Sequence, residues 1–103
     1  MSRSPRLSQQ GLLALKAILE NPLSPLSGAD ISRATGIGSG TLYPLLDRFE
    51  SSGWLTSKWE EVEPQKVGRP RRRLYKLTGE GERAARAAFS EIELRSGRFA
   101  WSS

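Results

Sequence analysis

Two residue types are missing outright: the 103 residues contain no cysteine and no histidine. Without cysteine there is no disulfide and no thiolate nucleophile. Without histidine as well, there is no zinc site of the usual kind, no Ser–His or Cys–His pair and no imidazole acid–base. Carboxylate or lysine chemistry is all that is left, which disfavours an enzyme, and no metal or cofactor is indicated. Long apolar runs are also missing: nowhere do about 18 apolar residues follow one another, as a membrane-spanning helix requires. The basic start, Met-Ser-Arg-Ser-Pro-Arg, leads into no signal-type apolar segment, because Leu12 to Leu19 reads as an amphipathic helix. A cytoplasmic protein of one modest domain is expected.

Positive charge is what the chain has in excess, and it is concentrated. Lys66, Arg69, Arg71, Arg72, Arg73 and Lys76 fall within eleven residues that hold no acid, whereas the whole chain carries a net charge of only +5. A local block of this kind is an electrostatic footprint for a polyanion. Edge protection of a solvated strand would also use charge, but four arginines in the five positions 69–73 exceed that need. Arginine's planar fork favours phosphate.

The hydrophobic pattern places the remaining elements. Residues 1–7 read as a basic arm. Ser8 is a suitable cap for a first helix over about 8–20, with Leu12, Leu15, Ile18 and Leu19 on one arc and Leu13 to its side. Two prolines in Asn21-Pro-Leu-Ser-Pro-Leu form a turn. Ser27 opens a second helix with Asp30 as the acidic half of a capping box, Gly36 closes it, and Ile37 pins the turn beneath. The third helix follows from Ser39 to Gly53. Its Leu42, Leu45, Leu46 and Phe49 share a third of the circumference. Ser39 is expected to cap it, and Pro44 to sit near the first turn, where few intrahelical bonds are forfeited.

After Gly53 the period changes to two. Trp54–Glu60 reads as a strand, residues 61–69 as a loop, and Arg71–Leu77 as a return strand. Thr78 caps a last helix over about 79–95, with a stripe of Ala85, Ala88, Phe89 and Ile92. Residues 96–103 form a tail carrying Phe99 and Trp101. The fold class is therefore mainly α with a small β-hairpin, a winged helix-turn-helix in the order α-α-α-β-β-α, over residues 8–95.

The outward side of the third helix suits a DNA major groove. Thr41 and Pro44 can touch a thymine methyl, and Arg48 can bind phosphate or guanine. Tyr43 lies at the edge of the apolar arc, open to a DNA contact or to a packing role. The glycines of Gly36-Ile-Gly-Ser-Gly supply turn geometry and close backbone approach to a phosphate, and match neither nucleotide-binding fingerprint. Strand alternation puts Arg71 and Arg73 on one face and Arg72 on the other. Lys66 and Arg69, on the loop, are the better candidates for a minor groove. Glu60, Glu61 and Glu63 read as a solvated loop rather than a metal site, and Trp54 and Trp59 as strand-to-helix packing.

Four segments together resemble the PadR family of winged-helix transcriptional regulators: Leu26-Ser-Gly-Ala-Asp-Ile, Gly38-Ser-Gly-Thr-Leu-Tyr-Pro-Leu-Leu-Asp-Arg-Phe-Glu, Gly53-Trp-Leu, and Gly68-Arg-Pro-Arg-Arg-Arg-Leu-Tyr-Lys-Leu-Thr-Gly-Glu-Gly. The resemblance runs from about Leu12 to Ala88. It implies a homodimer on a palindromic operator, usually as a repressor. The implied DNA-binding residues are Ser39, Gly40, Thr41, Tyr43, Pro44 and Arg48 from the third helix, with Lys66, Gly68, Arg69, Arg71 and Arg72 from the wing. Dimerisation through the first and last helices would use Leu13, Ala85, Ala88, Phe89 and Ile92. The chain resembles the family's short form, without the extended C-terminal helical domain, and a small-molecule effector is not indicated. The alternative is a winged-helix protein-interaction module that meets an acidic partner through its basic segment, its apolar tail and its tryptophan pair.

Overall fold

The computed structural model describes residues 7–96, with side chains as far as residue 92. The basic residues 1–6 and the tail with Phe99 and Trp101 lie outside the described residues. Helix α1 (Gln9–Leu19) begins where the Ser8 hydroxyl accepts the Gly11 N–H at 3.0 Å. Leu7, expected in the arm, instead packs against the core. A two-residue strand β1 (Leu26–Ser27) runs directly into α2 (Gly28–Thr35). The capping box is complete: Asp30 N–H donates to Ser27 Oγ at 3.1 Å, and Ser27 N–H donates to the Asp30 carboxylate at 3.0 Å. The second of these bonds is the main reason the Asp30 carboxyl titrates below its ordinary value.

Between α2 and α3 (Ser39–Ser51) the turn is fastened by side chains that sequence reading overlooked. Ser32 Oγ donates to the Ile37 carbonyl at 2.6 Å, and Thr35 Oγ1 accepts the Ile37 N–H at 3.2 Å. Ile37 is buried, as expected of the pin. Gly36 takes the left-handed conformation, φ 78°, that lets the chain turn there. Two details of α3 differ from expectation. Its cap is Gly38, with no side-chain bond, so Ser39 is the first helical residue and its hydroxyl is not spent on capping. Pro44 lies inside the helix rather than near its start, so α3 forgoes the hydrogen bond from residue 44 to the Gly40 carbonyl.

The α3 terminus is a Schellman arrangement. Gly53 adopts φ 81°, its N–H reaches the Glu50 carbonyl at 3.0 Å, and the Trp54 N–H reaches the Phe49 carbonyl at 2.9 Å. The Phe49 and Trp54 rings stack with centroids 5.8 Å apart, the apolar contact that accompanies this motif. The hairpin follows: β2 (Leu55–Trp59), a one-turn helix α4 (Pro64–Val67) and β3 (Arg73–Leu77). The helical turn interrupts what the sequence marked as loop; Pro64 starts it and Gly68, at φ 73°, ends it. Strand β3 is central and antiparallel to both neighbours, in the order β1-β3-β2, with Leu55 opposite Leu77 and Trp59 opposite Arg73. The sheet thus has a third strand beyond the expected hairpin.

Helix α5 (Gly79–Ser96) starts at Thr78, whose hydroxyl accepts the Gly81 N–H at 2.9 Å and donates to the Gly53 carbonyl at 2.7 Å. The core is built from Leu15 and Ile18, Ile31, the four predicted residues of α3, Trp54, Leu55, Tyr75 and Ala85. No helix among the described residues is long and apolar enough to cross a membrane.

Gly81 shows how tightly α5 is seated. A Cβ there would press on the Trp54 backbone carbonyl, which also accepts the Thr78 N–H. Ala exceeds Gly in helix propensity by about 1 kcal/mol, but overpacking against rigid backbone destabilises by roughly 1–3 kcal/mol. Gly81→Ala is therefore expected to lower the thermal midpoint in a calorimetric scan. An unchanged or higher midpoint would contradict the packing described.

Candidate nucleic-acid interface

The apolar side of α3 is inside and its other side is open. Leu42, Leu45, Leu46 and Phe49 are buried, whereas Ser39, Gly40, Thr41, Tyr43, Pro44, Asp47 and Arg48 are exposed. Tyr43 combines both roles left open by its position on the wheel. Its ring lies against Gly28 at the start of α2, so close that a Cβ on Gly28 would collide with it, yet 42% of the residue is exposed.

From Tyr43 a cleft of about 430 Å³ leads to the wing. Gly28 and Tyr43 line one side, and Trp59, Arg69, Arg71, Arg72 and Arg73 line it with them. Tyr43, at the edge of the outward face of α3, and the arginine cluster therefore open onto a shared groove. This is the arrangement a duplex needs if one element enters a groove while another holds the adjoining backbone.

The arginines are not equivalent. Arg69 is held by Glu60 through two bonds, NH1 to Oε1 at 2.6 Å and NH2 to Oε2 at 3.1 Å. The same carboxylate accepts the Arg72 backbone N–H at 3.0 Å, and the Glu60 N–H donates to the Arg72 carbonyl at 2.8 Å. Glu60 is thus a clip across the base of the wing, not the solvated loop residue the sequence suggested. Arg69, expected to reach toward a minor groove, spends its fork on that clip. Arg73 is likewise engaged: it lies over the Trp59 ring, 5.5 Å from the centroid, and donates from Nε to Ser57 Oγ at 2.9 Å.

That leaves the outer positions. Arg71 is exposed, with Nε donating to the Val62 carbonyl at 2.9 Å; Arg72 is half-buried. Neither forms a salt bridge among the described residues. Lys66 projects from α4 and makes only a loose 3.5 Å contact with Glu63, both side chains well exposed, so screening leaves that pair little weight. Gly68 is exposed beside it.

Glu60 provides a pH test. The Arg69 guanidinium, and after it the Arg72 N–H, pull its carboxyl from the ordinary 4.5 down to about 2. A depressed folded-state value contributes stability that is present above the ordinary carboxylate range and lost as pH falls from about 4.5 through about 2. In a carbon-detected NMR titration Glu60 should remain ionised at pH about 3.5, whereas in Arg69→Ala it should be taking up its proton there. A wild-type midpoint in the ordinary range would dissolve the clip.

Trp59 also departs from expectation. Trp54 is buried in the core against Phe49, as strand-to-helix packing predicts, but Trp59 is 57% exposed and faces the cleft. With Trp54 enclosed, the tryptophan pair no longer offers the apolar docking patch on which the protein-binding alternative drew. No group of His, Cys, Asp and Glu residues suited to a metal occurs among the described residues.

A family model of the PadR-like transcriptional regulators matches residues 28–87, from the start of α2 into α5. The chain belongs to the PadR-like family. Members of this family are transcriptional regulators and not enzymes. Among solved structures, the chain is similar to smu.1704 from Streptococcus mutans UA159, at 31% identity and a TM-score of 0.66, over 84% of this chain and 81% of that one. It is similar to a PadR-family transcriptional regulator from Eggerthella lenta DSM 2243, at 25% identity and a TM-score of 0.67, over 91% and 86%. The DNA-bound structure of overoxidized AbfR, a Staphylococcus epidermidis protein, is similar at 25% identity and a TM-score of 0.67, over 84% of this chain but only 58% of AbfR. A search of curated proteins gave no match. As a PadR-like regulator, the chain has its third helix and wing where the family model lies, and every residue lining the cleft except Ser27 falls within the match.

Proposed function

We propose that this PadR-like regulator binds a palindromic operator in double-stranded DNA as a homodimer and represses transcription from it. Helix α3 enters the major groove, with Ser39, Gly40, Thr41, Pro44 and Arg48 toward the bases and Tyr43 at the margin. Arg71 and Arg72 hold the adjacent backbone, and Lys66 and Gly68 approach from the wing tip. The observation that supports this most is that Tyr43, at the margin of the exposed face of α3, and the wing arginines line one cleft.

Residues 8–95 act as the DNA-binding unit, with α5 as its dimerisation helix. Leu13 and Ile92 are about two-fifths exposed, and Ala88 and Phe89 are half-buried, so these four offer apolar surface to a second copy. Ala85 is withdrawn from that set because its own chain encloses it completely. A two-fold axis would set half-sites about one helical turn apart, or a multiple of it. The proposed setting is the cytoplasm, and no effector is invoked.

Selection of bound fragments from random duplexes, with sizing of the free protein, tests the reading. A palindromic consensus, a dimer in solution and repression of a reporter carrying that consensus are the expected results. Binding without sequence preference, or a monomer that binds a single asymmetric site, would overturn it.

A further inference from the structure

The hydrogen-bonded chain at the base of the wing joins two elements that have to grip DNA together. Glu50 belongs to the last turn of α3, Ser57 to β2 and Arg73 to the start of β3. Ser57 Oγ donates to Glu50 Oε2 at 2.6 Å and accepts from Arg73 Nε at 2.9 Å, while Arg73 NH2 lies 3.6 Å from the same Glu50 oxygen. Trp59, directly opposite Arg73 in the ladder, supports the guanidinium from below. One planar cation is thereby fixed on three sides, which suits arginine and would not suit lysine.

We infer that Glu50, Ser57 and Arg73 set the angle between α3 and the wing, making Arg73 a positioning residue for the DNA grip and not one of its phosphate ligands. The inference rests on the DNA-binding reading above. Two contacts on one rigid body strengthen each other only while their separation matches the target, and a loose joint lowers the effective concentration of the second contact. The ladders of the sheet bond β2 and β1 to β3, whereas this hydrogen-bonded chain ties the hairpin back to α3.

The alternative, that Arg73 contacts phosphate and Glu50 merely competes for it, predicts the opposite sign for one substitution. Glu50→Gln removes a negative charge near the DNA. As a competitor's loss it would raise affinity; as a broken joint it should lower affinity about tenfold or more, the lower end of the scale of one charge-assisted bond. Binding of a selected operator duplex is measured by fluorescence anisotropy across a salt series, with thermal midpoints to confirm folding. Ser57→Ala, which leaves every charge in place, should act in the same direction with an unchanged salt slope.

A double-mutant cycle with Arg71→Ala completes the test. If the joint acts through the wing, Arg71→Ala should lose much of its effect in the Glu50→Gln background. A rise in affinity for Glu50→Gln, or strictly additive losses, would overturn the positioning role while leaving the DNA-binding reading intact. An Arg71→Ala single variant indistinguishable from wild type would instead overturn the wing's part in that reading and the inference with it.

Discussion

Replacing Arg71 and Arg72 together by alanine is expected to weaken operator binding by at least about a hundredfold at low salt. Each hydrogen bond to a charged group contributes about 1.5–3 kcal/mol, and each 1.4 kcal/mol is roughly tenfold in affinity. The second readout is sharper than the first. Each phosphate contact contributes about 0.9 to the slope of log affinity against log salt, so losing two should flatten that slope by nearly two. The prediction singles out these two because the other arginines of the cluster are engaged within the protein: Arg69 by Glu60, Arg73 by Ser57, Glu50 and Trp59.

The contrasting control is Glu60→Gln with Arg69→Gln, which removes a bonded pair of opposite charges at once. Its salt slope should stay close to wild type. A single Arg69→Ala is a poorer control, since it leaves the Glu60 carboxylate unbalanced beside the DNA. If the neutral pair variant flattened the slope as much as the Arg71/Arg72 variant, the division between holding and contacting arginines would be wrong.

The largest effect on stability is expected for Phe49→Ala, a loss of about 3–5 kcal/mol. Phe49 is 1% exposed and stacks on Trp54 at an interplanar angle of 17°. Its ring also reaches α1, where it would be the nearest neighbour of a Cβ on Gly11, at 3.3 Å. Truncation would leave a cavity joining α1, α3 and the corner into β2. For a domain of this size each kcal/mol moves the thermal midpoint by roughly 4–8 °C, so a fall of some 15–30 °C is expected in a calorimetric scan. Leu46→Ala, equally enclosed, should lose about 2–5 kcal/mol. A midpoint within a few degrees of wild type for Phe49→Ala would mean that the α3 corner is not the centre of the core.

What the sequence made legible was whatever is carried by short-range pattern. The capping box of α2 is a spacing of three residues, the α3 stripe a period of 3.6, and the glycines at 36 and 53 sit where φ turns positive. These features follow from local sterics and from which side chains can be buried, so position alone displays them. The neighbouring glycine and serine at 38 and 39 are both acceptable caps, and propensity did not separate them. Strand β1 is two residues long and exists only because Tyr75 and Leu74 lie beside it, which no local pattern records.

The candidate site divides the same way. That α3 carries an outward polar face and that the hairpin is basic were both readable from composition and phase. Which arginines are paired with a carboxylate was not. Glu60 and Arg69 are nine positions apart across a turn, and Glu50 and Arg73 meet only because α3 ends against the sheet. A run of like charges conceals such partners until the hairpin's register is known. Trp59 illustrates the same limit from the other side: its aromatic character suggested packing against a helix, but its place at the end of β2 lies past the edge of the core.

Strand β1 has a mechanical consequence. Ser27 pairs with Leu74 of β3 through its backbone and closes the α2 capping box with its hydroxyl, so the wing and the first helix of the motif share a residue. A pull on the wing reaches α2 without crossing a slack linker. In hydrogen-exchange measurements the amide of Asp30 should accordingly open together with those of β3, as one cooperative block, rather than with the exposed turn at 21–24 that precedes it in the chain.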